Sequence, residues 1–198
     1  MGGTRVTRGY GALEHFLTEK RIKIANRMIP PEARRGRLLD IGCGTHPLFL
    51  VNTEFSEKYG VDKVAEPGGA SGLPGGISLI RRDPEKDGTL PFESDFFDVV
   101  TMLAVFEHIE PVRLPGILAE IHRVLKPGGR YILTTPARWT DGLLRTMARL
   151  RLVSAREIEE HKDAYTHAKL RALLEGANFL QEDLRFGYFE MFANLWAV

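Results

Sequence analysis

The stretch Arg37-Leu38-Leu39-Asp40-Ile41-Gly42-Cys43-Gly44 constrains this chain more than any other. Its short apolar run suits a strand buried on both faces of a parallel sheet. Glycines directly after such a strand let the backbone turn sharply and let a ligand approach main-chain atoms that a Cβ would shield. Taken alone, the pair of glycines is equally consistent with a simple turn.

The neighbouring segments place that stretch in an alternating order. Residues 11–29 put Leu13, Phe16, Leu17, Ile24, Met28 and Ile29 near one helical face before Pro30 and Pro31 end the pattern. Residues 37–41, 58–62, 77–80, 96–103 and 129–135 read as strands that are apolar along their length. Between the last two, residues 110–129 repeat Leu114, Ile117, Leu118, Ile121, Val124 and Leu125 at helical spacing, with Gly128 and Gly129 expected to close the helix. A late helix is expected over 167–179, with Asn178 as its left-handed residue, and two further strands over 179–198. This order predicts a doubly wound α/β sheet in a single domain spanning 1–198. A domain of this length buries roughly 70% of the surface its unfolded chain exposes. The nearest thing to a linker, residues 66–76, is too short to divide it.

Charge bears on partners. The 27 Lys and Arg nearly cancel the 26 Asp and Glu, which argues against nucleic acid as a partner. Residues 1–37 nevertheless hold nine basic side chains against three acidic ones. A single cysteine makes no internal disulfide, and the first thirty residues lack the apolar core of a secretory signal, so the expected compartment is the cytoplasm.

In a doubly wound sheet, ligands sit beyond the carboxyl ends of the strands, where strand order reverses. Gly42 and Gly44 fall there. Asp62 ends the second strand about twenty residues on, from where a carboxylate accepts hydrogen bonds from both ribose hydroxyls. Asp83 follows the third strand and could accept from an adenine amino group. Together these describe an adenosine site, although any one acid could be a helix cap or a solvated loop residue. A dinucleotide fingerprint would need a third glycine where Pro47 stands. Asp40, just before the loop, suits an ammonium better than a diphosphate.

The segments LLDIGCGT, YGVD, LPFESDFFDVV, VFEHI and ILAEIHRVLKPGGRYILTTP, in this order, resemble the class I S-adenosylmethionine-dependent methyltransferases, in particular the small ubiquinone-type and sugar-modifying enzymes. The resemblance covers about residues 36–136 and resumes at LRALLEGANF. It implies a Rossmann-like, mostly parallel seven-stranded sheet with helices on both faces and an antiparallel last strand. It also implies S-adenosyl-L-methionine as cofactor. Asp40, Gly42, Cys43 and Gly44 would then cradle the methionine part, Asp62 and Lys63 the ribose, and Asp83 the adenine. Leu103 or Ala104 would pass beneath the amino-acid end, while Tyr10 and the segment 1–35 would form a lid or, equally, a cover for the sheet. Two residues depart from the pattern: His46 stands where many relatives have a third glycine, and Pro84 denies the adenine ring a backbone donor.

Methyl transfer is an in-line displacement in which the protein mainly aligns donor and acceptor. A hydroxyl acceptor gains from a base, and His108, His161 and Tyr165 are the candidates. A packed histidine that only positions its loop is the competing reading. The expected reaction is methyl transfer, at oxygen, to a small-molecule, lipid-linked or glycan acceptor. The insertion over 138–165 should meet that acceptor. Within it, residues 141–156 alternate an apolar face with Arg145, Arg149 and Arg156, a pattern that suits an anionic acceptor, peripheral membrane contact or a plain surface helix. A non-catalytic cofactor-binding module and a nicotinamide-dependent reductase are the alternatives.

Overall fold

The computed structural model describes residues 14–65, 76–140, 162–189 and 194–198. Among them seven strands form one sheet: β1 (Arg37–Ile41), β2 (Glu57–Asp62), β3 (Ile77–Arg81), β4 (Phe97–Leu103), β5 (Leu125–Pro136), β6 (Phe186–Phe189) and β7 (Asn194–Ala197). Their spatial order is β3-β2-β1-β4-β5-β7-β6. β1 to β5 pair in parallel, and β7 runs antiparallel to both β5 and β6. The order reverses between β1 and β4, so the residues after Ile41 and Leu103 meet at the switch point.

The continuous apolar runs have a simple cause: successive side chains alternate between two cores. On one face Leu38, Val99 and Ile132 pack with Ala25 and Ile29, from α1 (Glu14–Met28) and the turn after it, and with Phe49 and Leu50 of α2 (Leu48–Val51). On the other face Leu39, Ile41, Val100, Met102, Tyr131 and Leu133 pack with α4 (Leu114–Val124) and α5 (His167–Gly176). A short α3 (Pro84–Asp87) follows β3. α1 is tied down in its last turn: Asn26 donates to Thr53 Oγ1 at 3.0 Å, and Arg130 donates to the Met28 carbonyl at 3.1 Å. The described part of the 1–35 segment packs against this face. Phe16, expected on the buried side, is half exposed, with the Lys20 amino group 5.0 Å over its ring.

One expected boundary is corrected. The helix read over 110–129 spans only Leu114–Val124, and Leu125 already adopts extended backbone (φ −75°, ψ 136°) and pairs with Phe97. Pro127 disfavours helical geometry at Lys126, so the chain leaves the helix early. Gly128 (φ +75°) then lies in the ladder irregularity between Phe97 and Val99 and does not close the helix. Asn178 does take up the left-handed conformation expected of it, at φ +69°.

Gly36, just before β1, has a steric role. A Cβ there would lie 2.0 Å from Asp98 Oδ2, the oxygen that accepts from the Arg37 amide and from Lys126 Nζ, both at 2.8 Å. Gly36→Ala is expected to displace Asp98 from both partners and cost about 1–3 kcal/mol, read as a lower thermal midpoint.

Candidate active site

The glycine loop takes its shape from left-handed backbone at Gly42 (φ +80°) and Gly44 (φ +68°). The Gly42 amide donates to the Val61 carbonyl at 2.8 Å, which fixes the loop against the end of β2. Val105 packs directly on Gly42, since a Cβ at that position would lie 2.3 Å from Val105 Cγ2. The facing segment is strained as well. Ala104 holds φ +54°, and its amide donates to both the Thr134 carbonyl (2.9 Å) and Thr134 Oγ1 (3.1 Å). A left-handed non-glycine residue persists only where its surroundings fix it, and such residues gather at functional sites.

Asp62 links the glycine loop to the turn after β2. It is buried, and its two oxygens accept from separate amides, Oδ2 from Gly44 at 2.8 Å and Oδ1 from Val64 at 2.9 Å. The two amides fix the orientation of the carboxylate. Gly42, Asp62, Lys63, Asp83 and His108 line one cleft, walled by Ile41, Val105 and Ile109. These groups lie at the carboxyl edge of the sheet, beside the switch point.

Asp40 lies just behind the loop, 5% exposed, in register with Thr101 on β4, whose hydroxyl is 2.6 Å from Asp40 Oδ1. Burial pushes its carboxyl up to about 7, Thr101 partly offsets this, and the negative charge of Asp62 adds to the rise. The folded chain thus holds a proton that an unfolded aspartate releases near 3.9. With more protons bound in the native state, this group's contribution to stability is present at low pH and is lost as pH rises from about 4 through 7. Asp40→Asn is accordingly expected to gain stability over the parent progressively across that window and to level off above it, read by thermal melts at several pH values.

Residues 13–181 match the sequence family described as a methyltransferase domain. The chain belongs to the class I S-adenosylmethionine-dependent methyltransferases. It is 31% identical over 130 residues to the ubiquinone/menaquinone biosynthesis C-methyltransferase of Azotobacter vinelandii, covering 56% of this chain and 47% of that protein. It is 36% identical over 103 residues to a sterol 4-C-methyltransferase of Caenorhabditis elegans, covering 48% of this chain and 29% of that protein. The chain thus spans less than half the length of these curated relatives. Its fold matches the crystal structure of an S-adenosylmethionine-dependent methyltransferase from Archaeoglobus fulgidus with a TM-score of 0.62 and 23% identity, over 89% of this chain and 78% of that one.

The methyltransferase brings some expected residues together and sets others apart. Asp83 lines the cleft but also caps α3: its Oδ1 accepts from the Glu85 amide at 3.2 Å, and Lys86 lies 3.8 Å from its Oδ2. Pro84 occupies the first turn of α3, where its lack of an amide hydrogen costs nothing. Leu103 packs into the α1 face, and Cys43 is buried beneath the loop. His108 stands on the cleft wall at the end of a 3₁₀ turn, its amide donating to Val105. Tyr165 lies apart from the cleft, fully buried against Phe106 with ring centroids 4.9 Å apart, and burial raises its hydroxyl well above the usual range. Lys162 donates its amide to the Glu107 carbonyl at 2.8 Å and bridges Glu110 at 3.1 Å, which docks residues 162–165 onto the turn carrying His108. Tyr10, His161 and the patterned segment 141–156 lie outside the described residues.

Three contributors escape a reading of the sequence: Thr101, Val105 and Thr134. A threonine inside the apolar run FFDVVTML is the one available signal, because a hydroxyl in a doubly covered strand needs a partner.

Proposed function

We propose that this chain transfers the methyl group of S-adenosyl-L-methionine to a small-molecule, lipid-linked or glycan acceptor through a deprotonated hydroxyl. The methyl group goes to that oxygen or, in an aromatic acceptor, to a ring carbon it activates. The observation that carries this reading is Asp62, a buried carboxylate at the end of β2 that lines the cleft and is held in orientation by the Gly44 and Val64 amides, the chemistry that ribose hydroxyls would meet. The donor set fits the cofactor. Gly42 and Gly44 supply main chain in the left-handed conformation, with no room for a Cβ at Gly42, Asp40 offers a carboxyl for the ammonium end, and Asp83 stands towards the adenine. Once bound, the sulfonium supplies an already activated methyl group.

The chain's own contribution is alignment, which can be worth ~7 to 11 kcal/mol of such a barrier. The strained Ala104 turn and Val105 form the floor opposite the glycine loop, and His108 on the cleft wall is placed to take the acceptor's proton. The quinone and sterol relatives support an apolar acceptor. So do the exposed Val112 (82%) and Trp139 (58%), after β4 and after β5, and the sequence of residues 141–156, which alternates apolar positions with arginines at helical spacing.

Titration with S-adenosylhomocysteine and with a nicotinamide dinucleotide tests the cofactor: binding of the first alone is expected, and binding of the second alone would replace this reading with a reductase. Single-turnover methyl transfer to short-tailed hydroquinones tests the chemistry. His108→Ala or His161→Ala should slow it by about 10² to 10⁴. Near-parental rates in both variants would remove a histidine base. Cosedimentation with anionic liposomes at low and physiological salt tests membrane contact, and no pelleting in either would remove it.

A further inference from the structure

Thr101 faces Asp40 from the middle of β4 and is fully buried. Its oxygen lies 2.6 Å from Asp40 Oδ1 and 3.3 Å from the Leu39 carbonyl oxygen. A hydroxyl carries a single hydrogen that rotates to suit its neighbours. With Asp40 ionised, that hydrogen points at the carboxylate. With Asp40 protonated, the carboxyl's own hydrogen points at Thr101, whose hydrogen turns to Leu39. Both protonation states are satisfied without moving a heavy atom, and at 5% exposure Asp40 has little water to serve the same purpose.

We propose that Thr101 is a positioning residue for the cationic end of the cofactor: it holds Asp40 so that entry of a positive charge beside the glycine loop expels one proton to solvent. The inference rests on the cofactor reading above and adds to it a proton that the binding reaction must release.

The surroundings agree. From β2, Asp62 is the charged neighbour whose field reaches Asp40 and disfavours a second negative charge, while Lys63 lies beyond it on the cleft. Lys58, on the same strand, is turned away and donates to the Leu50 and Thr53 carbonyls. On the loop itself His46 is exposed and Cys43 is a buried thiol. Asp83, Glu85 and His108 stand along the cleft, and buried Glu107 precedes His108. Burial, the Thr101 hydroxyl and the Asp62 charge together set the Asp40 carboxyl at about 7, and an arriving ammonium is the charge that would ionise it.

The test is calorimetric titration with S-adenosylhomocysteine at pH 6, 7 and 8, each in two buffers of different ionisation enthalpy. The parent protein should release nearly one proton per site at pH 6, about half at pH 7 and little at pH 8, with affinity rising about tenfold per pH unit below 7. Thr101→Val removes the donor, so proton release should persist at pH 8. Thr101→Ser should keep the parental profile, and Asp40→Asn should bind weakly with no release. Binding by the parent without proton release at pH 6 overturns the proposal, whatever the variants do. A parental profile in Thr101→Val overturns the role of Thr101. Absence of binding at every pH would instead overturn the cofactor reading.

Discussion

Gly42→Ala is expected to lower affinity for S-adenosylhomocysteine by about 30- to 5000-fold, through two costs of ~1–2 and ~1–3 kcal/mol. The first is the left-handed backbone at φ +80°, which an alanine resists. The second is the Cβ itself, which would lie 2.3 Å from Val105 Cγ2 and 2.9 Å from Cγ1. Free protein can relax by opening the loop, so the cost falls on the bound state, which needs loop and floor in place together. Calorimetry should find the loss in affinity with a smaller loss in thermal midpoint. Gly42→Ala combined with Val105→Ala removes the collision and keeps the backbone strain, so it should recover part of the loss. Affinity within threefold of the parent in the single variant would show that the cofactor does not use this loop.

Asp62→Asn is the second large effect. Asparagine keeps the shape but replaces one acceptor oxygen with a donor, so either the Gly44 or the Val64 amide faces an N–H in place of an oxygen. One ribose hydroxyl loses its partner for the same reason. Hydrogen bonds to a charged group contribute about 1.5–3 kcal/mol each, so the lost ribose bond predicts affinity lower by about 10- to 150-fold, and the lost amide bond, made without ligand too, a lower thermal midpoint. A cofactor analogue lacking one ribose hydroxyl supplies the cross-check. It should bind the parent more weakly than S-adenosylhomocysteine, yet lose much less than the parent ligand does on going to Asp62→Asn. Equal losses for both ligands would mean that Asp62 acts only through the loop.

What the sequence made legible follows from the range of the interactions involved. β1 is read at 37–41 and found there, because alternation into two cores demands an unbroken apolar run. Gly42, Gly44 and Asp62 follow, since strand ends in such a sheet are where a turn and an acid have few other uses. The end of α4 is misjudged because Pro127 acts one residue upstream, through its steric effect on Lys126. Asp83 illustrates a different limit: a helix cap and a ligand-facing acid look identical in sequence, and this side chain is both placed on the cleft and engaged as a cap. Thr101 and Val105 matter through contacts with Asp40 and Gly42, more than sixty residues away along the chain, and no local pattern encodes such a pairing.

The position of β7 carries a consequence for how the polypeptide reaches this arrangement. During synthesis β5 and β6 both emerge before the strand that must separate them, so for an interval two open edges with unpaired main-chain groups face each other. The native order is reached only when residues 194–197 pair with both strands and Leu195 and Ala197 enter the core. Weakening these last side chains should therefore show first as poor recovery of native material during expression, ahead of any defect in the catalytic step.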